Sequence, residues 1–275
     1  RILGLHFFSP ANVMKLLEIV RGKKTSPETL ASGLNLAKKI KKVGVVAGVC
    51  FGFIGNRMMI EGFHREADHL LLEGASPSQI DRVMYEFGFP MGPFAMHDMA
   101  GVDIMHSILS AEDKKKQYSE PFFNVLYQVG ESGRFGQKTG KGFYLYEKGS
   151  RSPIHDPIID ELIENESNKL GIERREVKDS EIEERCMYAL VNEGARILEE
   201  EISYRSSDID VIWHYGYGFP RLRGGPMYMA DSIGLSNIHA TILNYKKEYG
   251  DNWEPAKLLT ELARVNGSFS DWSPG

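Results

Sequence analysis

Apolar positions at the start of the chain follow the spacing of β-strands. Residues 4–8 and 13–20 are rich in β-branched and aromatic residues, which predicts two strands. The stretch between them, Ser-Pro-Ala-Asn at 9–12, contains turn-forming residues, and it predicts an antiparallel hairpin. A helix is predicted over residues 25–42, with Thr25 or Ser26 as its cap and Pro27 in its first turn. The segment "VGVVAGVC" at 43–50 predicts a further short, buried strand.

From residue 53 onward the apolar spacing becomes helical. The stripe that contains Ile54, Met58 and Phe63 predicts a helix ending at Gly74, and Ser76 predicts the cap of the next helix. Methionine-rich stripes of this kind are typical of a helical core. Most of the chain after the first strands is therefore predicted to be α-helical.

The helical part repeats itself. Residues 78–104 resemble residues 207–238, with Gly-Pro, Asp and Gly recurring in the same order at one offset. The preceding helices, "NRMMIEGFHREADHLLLEG" and "ERCMYALVNEGARILEEEI", also match. Ordered matches of this kind predict two copies of one helical module, each covering the apolar face of the other as in a symmetric dimer. Between the copies, the charged segment 147–180 predicts a linker with one short helix.

The predicted hairpin brings together two polar side chains from apolar surroundings. A symmetric hairpin about Asn12 places His6 directly opposite Glu18, where Cβ atoms lie roughly 4.5–5.5 Å apart. A carboxylate on one imidazole nitrogen fixes the tautomer and leaves the other nitrogen free to take a proton. The spacing alone leaves two interpretations open: a general base with the group that orients it, or an ordinary cross-strand polar pair.

Composition restricts the function further. The chain has 275 residues, 42% of them hydrophobic, and a net charge of −5. This charge argues against a nucleic-acid binder that relies on overall basic charge. Cys50 and Cys186 form no metal-binding spacing and no disulfide framework, and no apolar run approaches the ~18 residues of a membrane span. We expect a protein of a reducing compartment with no metal site.

The fingerprint of a dinucleotide-binding loop, G-x-G-x-x-G between a strand and a helix, is absent from the sequence. The chain also begins on a strand-like segment without an initiator methionine. We therefore expect that it was cut from a longer chain and that any dinucleotide cradle precedes Arg1.

Four segments together resemble the L-3-hydroxyacyl-CoA dehydrogenase family. They are "GLHFFSPANVMKLLEIV" (4–20), "GFIGNR" (52–57), "GFPMGPFAMHDMAGVDI" (88–104) and "GQKTGKGFYLY" (136–146). The second helical copy resembles the multifunctional fatty-acid oxidation enzymes, above all the peroxisomal ones, which join an enoyl-CoA hydratase part to this dehydrogenase part. The resemblance implies a mainly α fold, in which the last strands of a Rossmann-type α/β domain precede two duplicated helical modules packed as a pseudo-dimer.

On this resemblance the expected domains are the end of an NAD-binding domain (1–50), a first helical module (51–150), a linker (151–180) and a second, structural module (181–275). The implied reaction is the NAD-dependent oxidation of an L-3-hydroxyacyl-CoA to the 3-ketoacyl-CoA. The implied partners are acyl-CoA and the upstream NAD-binding and hydratase domains of the same chain. The duplication favours a monomer, and the resemblance favours the peroxisome.

The resemblance also assigns roles to individual residues. His6 is the implied base and Glu18 its orienting group, whereas Asn56 is implied to contact the reacting oxygen or thioester. Lys138 matches a position that reaches the cofactor. Ser9 stands where monofunctional members carry an asparagine on the nicotinamide side, and a water could bridge the shorter side chain. Asn56 could instead be a helix cap, and Lys138 an ordinary surface lysine.

Two other functions remain as alternatives. One is a non-catalytic acyl-CoA-binding or assembly scaffold derived from such an enzyme, in which the set of His6, Glu18 and Asn56 would have no reason to persist. The other is a dehydrogenase of small hydroxy acids, which the H-F-F-S-P and K-T-G-K-G-F-Y motifs disfavour.

Overall fold

A computed structural model describes residues 2–110 and 123–274 of the chain. It is mostly helical, with one small sheet, as the sequence predicts. The chain forms two compact units: Arg1–Phe63 together with Met187–Gly275, and His64–Cys186. None of the helices in the described ranges has the length and apolar character needed to cross a membrane.

The sheet of the first unit contains three strands in the order β1 (Gly4–Phe7), β2 (Leu16–Val20) and β3 (Val43–Ala47). Strands β1 and β2 are antiparallel, and β3 lies parallel to β2. Helix α1 (Pro27–Lys39) connects β2 to β3 and packs on the sheet through a core of Leu17, Ile19 and Ala37 with Leu3, Leu5 and Leu30. This arrangement is typical of a strand–helix–strand unit with buried central strands.

The hairpin is shorter than predicted. The second strand was expected from Val13, but it begins at Leu16, because the amides of Val13 and Met14 donate to the carbonyl of Pro10 in a turn. The register is nevertheless the predicted one, with His6 opposite Glu18.

Helix α1 confirms the predicted start signal. Of the two cap candidates, Ser26 accepts the hydrogen bond from the Thr29 amide, whereas the Thr25 hydroxyl donates to the Ile2 carbonyl. Pro27 occupies the first turn, where its missing amide hydrogen costs nothing.

A helix with an irregular middle follows the sheet. It begins as α2 (Gly55–Arg57), continues as a π-helical segment (Met58–His64) and ends as α3 (Arg65–Glu73) at Gly74, as predicted. Gly74 has φ of 137°, a backbone conformation that favours glycine.

The second unit contains the rest of the first helical copy and the charged segment after it. Its helices are α3, α4 (Pro77–Phe87), α5 (Pro93–Ala100), α6 (Val102–Ser110), α7 (Asn124–Glu131) and α8 (Pro157–Leu170). Helix α8 lies in the segment predicted as a linker, and the Ser167 hydroxyl donates to the carbonyl of Leu72 at 2.9 Å. The helix is therefore packed against α3 within this unit.

The second copy begins with α9 (Asp179–Glu199), whose residues from Met187 belong to the first unit. The helices after it are α10 (Ser206–Tyr217), α11 (Pro226–Ile233), α12 (Leu235–Tyr249) and α13 (Lys257–Arg264).

The two copies use the same side-chain caps. Asp81 of α4 accepts hydrogen bonds from the amides of Phe94 and Ala95 at the start of α5. Asp210 of α10 accepts from the corresponding amides at the start of α11, those of Met227 and Tyr228. Both capped helices begin with Gly-Pro, and a Cβ on either glycine would lie within 2.5 Å of the capping aspartate. The recurrence of Gly-Pro, and of an aspartate in the helix before it, thus has a structural cause.

The first helices of the two copies also exchange ion pairs reciprocally. Arg57 donates through Nε to Glu193 and through both terminal nitrogens to Glu200. In the same pattern, Arg185 donates through Nε to Glu66 and through both terminal nitrogens to Glu73. Reciprocity of this kind is expected of the predicted pseudo-dimer.

The π-helical segment accounts for a change of register between the copies. Arg57 and Arg185 are 128 positions apart. After the π-helical segment, Glu66 and Glu193 are 127 positions apart, and so are Glu73 and Glu200. A π-helical turn accommodates one extra residue within a helix. The first copy therefore carries a one-residue insertion between Arg57 and Glu66, where the π-helical segment lies.

Candidate active site

The candidate site of the first unit is built on the β1–β2 pair. His6 Nδ1 lies 2.6 Å from Glu18 Oε2, so the predicted pairing is confirmed. Glu18 is completely buried, whereas 27% of the His6 side chain is exposed. An ionised carboxylate only accepts hydrogen bonds, so Nδ1 carries the hydrogen of the neutral ring and Nε2 has a free lone pair. The pair can therefore take up a proton at Nε2.

Glu18 has a second set of partners that the sequence did not reveal. Its Oε1 accepts hydrogen bonds from the backbone amides of Ile54 at 3.1 Å and Gly55 at 3.0 Å, at the start of α2. Amides at a helix N-terminus stabilise negative charge. One buried carboxylate thus connects His6 to the helix that carries Asn56.

Asn56 lies inside α2 and is partly exposed. The alternative that it caps this helix is wrong, because the N-cap is Ile54 and no side chain caps it. Instead Asn56 Oδ1 accepts a hydrogen bond of 2.6 Å from the hydroxyl of Tyr217, in the second helical copy. Burial, together with the charge of Glu18, raises the pKa of Tyr217 well above its ordinary value, so this hydroxyl remains a donor.

Aromatic rings surround the His6–Glu18 pair and the Asn56–Tyr217 pair. The His6 ring lies 5.0 Å from the ring of Phe8 and 5.3 Å from that of Phe53. Tyr217 meets Phe8 edge to face at 5.6 Å and stacks on Trp213 at 4.6 Å. These distances are typical of packed aromatic pairs, which fix ring orientation.

The two residues predicted to contact a cofactor lie in different units of the chain. Ser9 is exposed in the turn after β1, and its side chain makes no hydrogen bond within the described ranges. Lys138 belongs to the second unit, where its ammonium group pairs with Asp103. Among the described residues there is also no group of three or more side chains that could hold a metal ion.

Sequence reasoning missed Tyr217, although a signal was available. The Gly-Phe-Pro motif follows Phe87 in the first copy and Tyr217 in the second. The two copies therefore differ by one hydroxyl group at this position, and in the second copy that hydroxyl contacts a candidate site residue.

Family profiles identify the class of protein to which this site belongs. Residues 1–50 match the NAD-binding domain of 3-hydroxyacyl-CoA dehydrogenase. The C-terminal domain of the same family matches twice, over residues 52–146 and 182–268, which confirms the duplication. The chain belongs to the 3-hydroxyacyl-CoA dehydrogenase family.

Its curated relatives include multifunctional enzymes of fatty-acid oxidation. The chain is 42% identical to the peroxisomal bifunctional enzyme of Danio rerio over 98% of its own length, and 41% identical to that of Homo sapiens. It is 38% identical to the peroxisomal fatty acid beta-oxidation multifunctional protein of Oryza sativa subsp. japonica over 96% of its length. The chain spans 40% of the Danio rerio protein and 39% of the human one.

Solved structures agree with this assignment. The dehydrogenase part of multifunctional enzyme 1 from C. elegans is 30% identical, with a TM-score of 0.70 over 94% of this chain and 59% of that one. A 3-hydroxybutyryl-CoA dehydrogenase from Escherichia coli, 21% identical, shares the fold with a TM-score of 0.77 over 96% of this chain and 70% of that one.

Proposed function

We propose that this chain supplies the proton-transfer and substrate side of an NAD-dependent L-3-hydroxyacyl-CoA dehydrogenase in fatty-acid β-oxidation. The observation that carries the proposal is the hydrogen bond between His6 and the fully buried Glu18, with Asn56 on the helix that Glu18 anchors. The descriptions of the matching family models support the dehydrogenase reaction, and the name of the rice relative supports fatty-acid β-oxidation.

In the oxidation direction His6 Nε2 takes the proton of the substrate 3-hydroxyl group. Glu18 holds the ring through Nδ1 and stabilises the imidazolium that forms. In the reverse direction the protonated ring donates to the 3-keto oxygen. The Asn56 amide donates a hydrogen bond to the reacting oxygen or to the thioester carbonyl, where it stabilises negative charge as it develops.

Bound NAD⁺ would supply the acceptor for the hydride that leaves C3 of the substrate. Of this chain's residues, Ser9 has a hydroxyl group available for the nicotinamide side, whereas Lys138 would have to leave Asp103. No glycine-rich phosphate loop occurs in the sequence. We propose that the chain works within a longer protein whose preceding segments supply the phosphate cradle and an enoyl-CoA hydratase domain.

The experiment that tests this function uses that full-length protein. We expect NADH-dependent reduction of acetoacetyl-CoA, and we expect His6→Ala to lower kcat by about a thousandfold or more. Thermal unfolding checks that both proteins fold alike. If the wild type neither oxidises nor reduces acyl-CoA substrates while binding them, the scaffold alternative replaces this proposal.

For the whole protein we also propose the domain order predicted from the sequence, a monomeric state and a peroxisomal location. The internal duplication supports a monomer, because each copy supplies the ion-pair partners of the other. Light scattering of the full-length protein tests whether it is a monomer, and imaging of a tagged protein in cells tests the location.

A further inference from the structure

The second helical copy has no His-Phe-Phe motif, yet it places one polar group at the candidate site. The hydroxyl of Tyr217, the last residue of α10, donates to Asn56 Oδ1 at 2.6 Å. The two residues are 161 positions apart, one in each copy.

The ring of Tyr217 has aromatic neighbours. The ring of Tyr217 packs between Phe8 and Trp213, and a Cβ on Gly55 would lie 3.0 Å from its Cε2 atom. A buried hydroxyl group without an acceptor is costly. Among the described residues, Asn56 Oδ1 is the acceptor that the structure records for this hydroxyl. The hydrogen bond therefore has a single favourable direction, from the tyrosine to the amide oxygen.

This direction determines which way the amide faces. An asparagine side chain carries an acceptor on one side and two donor hydrogens on the other. Once Oδ1 is held by Tyr217, Nδ2 must face away from the tyrosine. Asn56 is partly exposed, and no hydrogen bond from its Nδ2 to another described residue is present. The donor face is thus available to a ligand.

We propose that Tyr217 is a positioning residue, which holds the Asn56 amide with its donor nitrogen toward the acyl-CoA oxygen. The second helical copy is then part of the active site rather than a purely structural repeat. The inference rests on the proposed function, because it gives Asn56 a reacting oxygen to contact. Without the tyrosine hydroxyl the amide can rotate, and in half of its orientations it presents an acceptor to an oxygen that needs a donor.

The test is a double-variant cycle in the full-length protein. Tyr217→Phe keeps the ring and removes the hydroxyl, and we expect kcat for acetoacetyl-CoA reduction to fall about tenfold. We expect Asn56→Ala to lower kcat about a hundredfold. In the Asn56→Ala background, Tyr217→Phe should have no further effect, because no amide remains to be oriented. A merely structural tyrosine would instead reduce kcat by the same factor in both backgrounds.

Two variants separate orientation from stability. Tyr144→Phe removes a comparable buried hydroxyl, which donates to Asp81 at 2.7 Å in the second unit, and it should leave kcat unchanged. Asn56→Asp keeps an acceptor for Tyr217 but loses the donor nitrogen. It should fold normally and yet lose at least as much kcat as Asn56→Ala.

A binding measurement provides a readout besides turnover. Calorimetric titration with acetoacetyl-CoA in the absence of NADH should show Tyr217→Phe binding more weakly than the wild type, and Tyr144→Phe binding equally well. A Tyr217→Phe protein with wild-type kcat and affinity, or one with equal effects in both Asn56 backgrounds, overturns the inference while the proposed function stands. An inactive wild type overturns the proposed function itself.

Discussion

At the scale of single residues, Glu18 is the most constrained group of the candidate site. Its Oε1 atom accepts from two backbone amides and its Oε2 atom contacts His6. In a Glu18→Gln variant the amide oxygen must face the backbone amides of Ile54 and Gly55, because the NH₂ group cannot accept their hydrogens. The NH₂ group then faces His6 Nδ1 and donates to it. The neutral imidazole is forced into the tautomer with its hydrogen on Nε2.

The change of tautomer in Glu18→Gln should lower activity. We expect Glu18→Gln to lower kcat by about a hundredfold to ten-thousandfold, because Nε2 can no longer accept the substrate proton. Stopped-flow and steady-state assays of the full-length protein measure the loss. Glu131→Gln is the matched control, since Glu131 makes a more exposed contact with His106 at 2.8 Å in the second unit. A Glu18→Gln enzyme within a few-fold of wild type would rule out the assigned role of the pair.

At the scale of elements, the two copies depend on the same capping device. The N-caps of α5 and α11 are Gly92 and Gly225, which offer no side chain of their own. Asp81 and Asp210 supply the acceptors instead, each to two amides. We expect Asp81→Ala and Asp210→Ala each to lower the free energy of unfolding by about 2 kcal/mol.

Urea denaturation of the chain measures both losses. Asp251→Ala serves as the control, because Asp251 is exposed and caps neither helix, and it should change stability by less than about 0.5 kcal/mol. A large loss for one copy with no loss for the other would contradict the structural equivalence of the two caps.

Buried histidines in the second unit make the stability of the protein depend on pH. His97 of α5 lies with its ring centre 4.3 Å from that of His64, and burial lowers the pKa of His97 to about 4 from its ordinary 6.5. Between these values the unfolded chain binds a proton that the folded chain does not bind. Stability is therefore lost as the pH falls below 6.5, by about 2 kcal/mol for this residue between pH 7 and pH 5.

Removing the titrating ring should flatten this dependence. We expect His97→Gln and His97→Phe to lose about 2 kcal/mol less stability than the wild type between pH 7 and pH 5. The two variants are compared because they differ in polarity but share the absence of a titrating group. A wild-type pH dependence of stability in both variants would show that His97 binds its proton equally well in the folded and the unfolded chain.

At the scale of the whole molecule, the sequence predicts local structure and repetition well. The Ser26 and Ser76 caps, the His6–Glu18 register and the duplicated modules all follow from short-range patterns, and the structure or the family profiles confirm them. Contacts between residues far apart in the sequence were not predicted. The contacts of Glu18 with the α2 amides and of Asn56 with Tyr217 join residues 36, 37 and 161 positions apart. Backbone amides have no sequence signature, and a single hydroxyl difference between copies is easily overlooked.

The reciprocal ion pairs depend on the duplication, because the arginine of each copy binds glutamates of the other. Arg185 is only 1% exposed and its partner Glu66 only 2%, whereas Arg57 is 13% exposed and its partner Glu200 45%. Removing a buried cation leaves its carboxylates uncompensated in a medium of low polarity. We therefore expect Arg185→Leu to destabilise the chain by about 3–5 kcal/mol, and Arg57→Leu by about 1–2 kcal/mol.

A paired variant tests whether the cost comes from the stranded carboxylate. In Arg185→Leu combined with Glu66→Leu, the deepest carboxylate disappears with its partner, and we expect the double variant to recover about half of the lost stability. Urea denaturation of the wild type, both single arginine variants and the double variant provides the comparison. Equal losses for the two arginines, or purely additive losses in the double variant, would mean that the ion pairs are incidental to the packing of the copies. Recovery in the double variant would instead show that the buried charges are tolerated only because each copy neutralises the other.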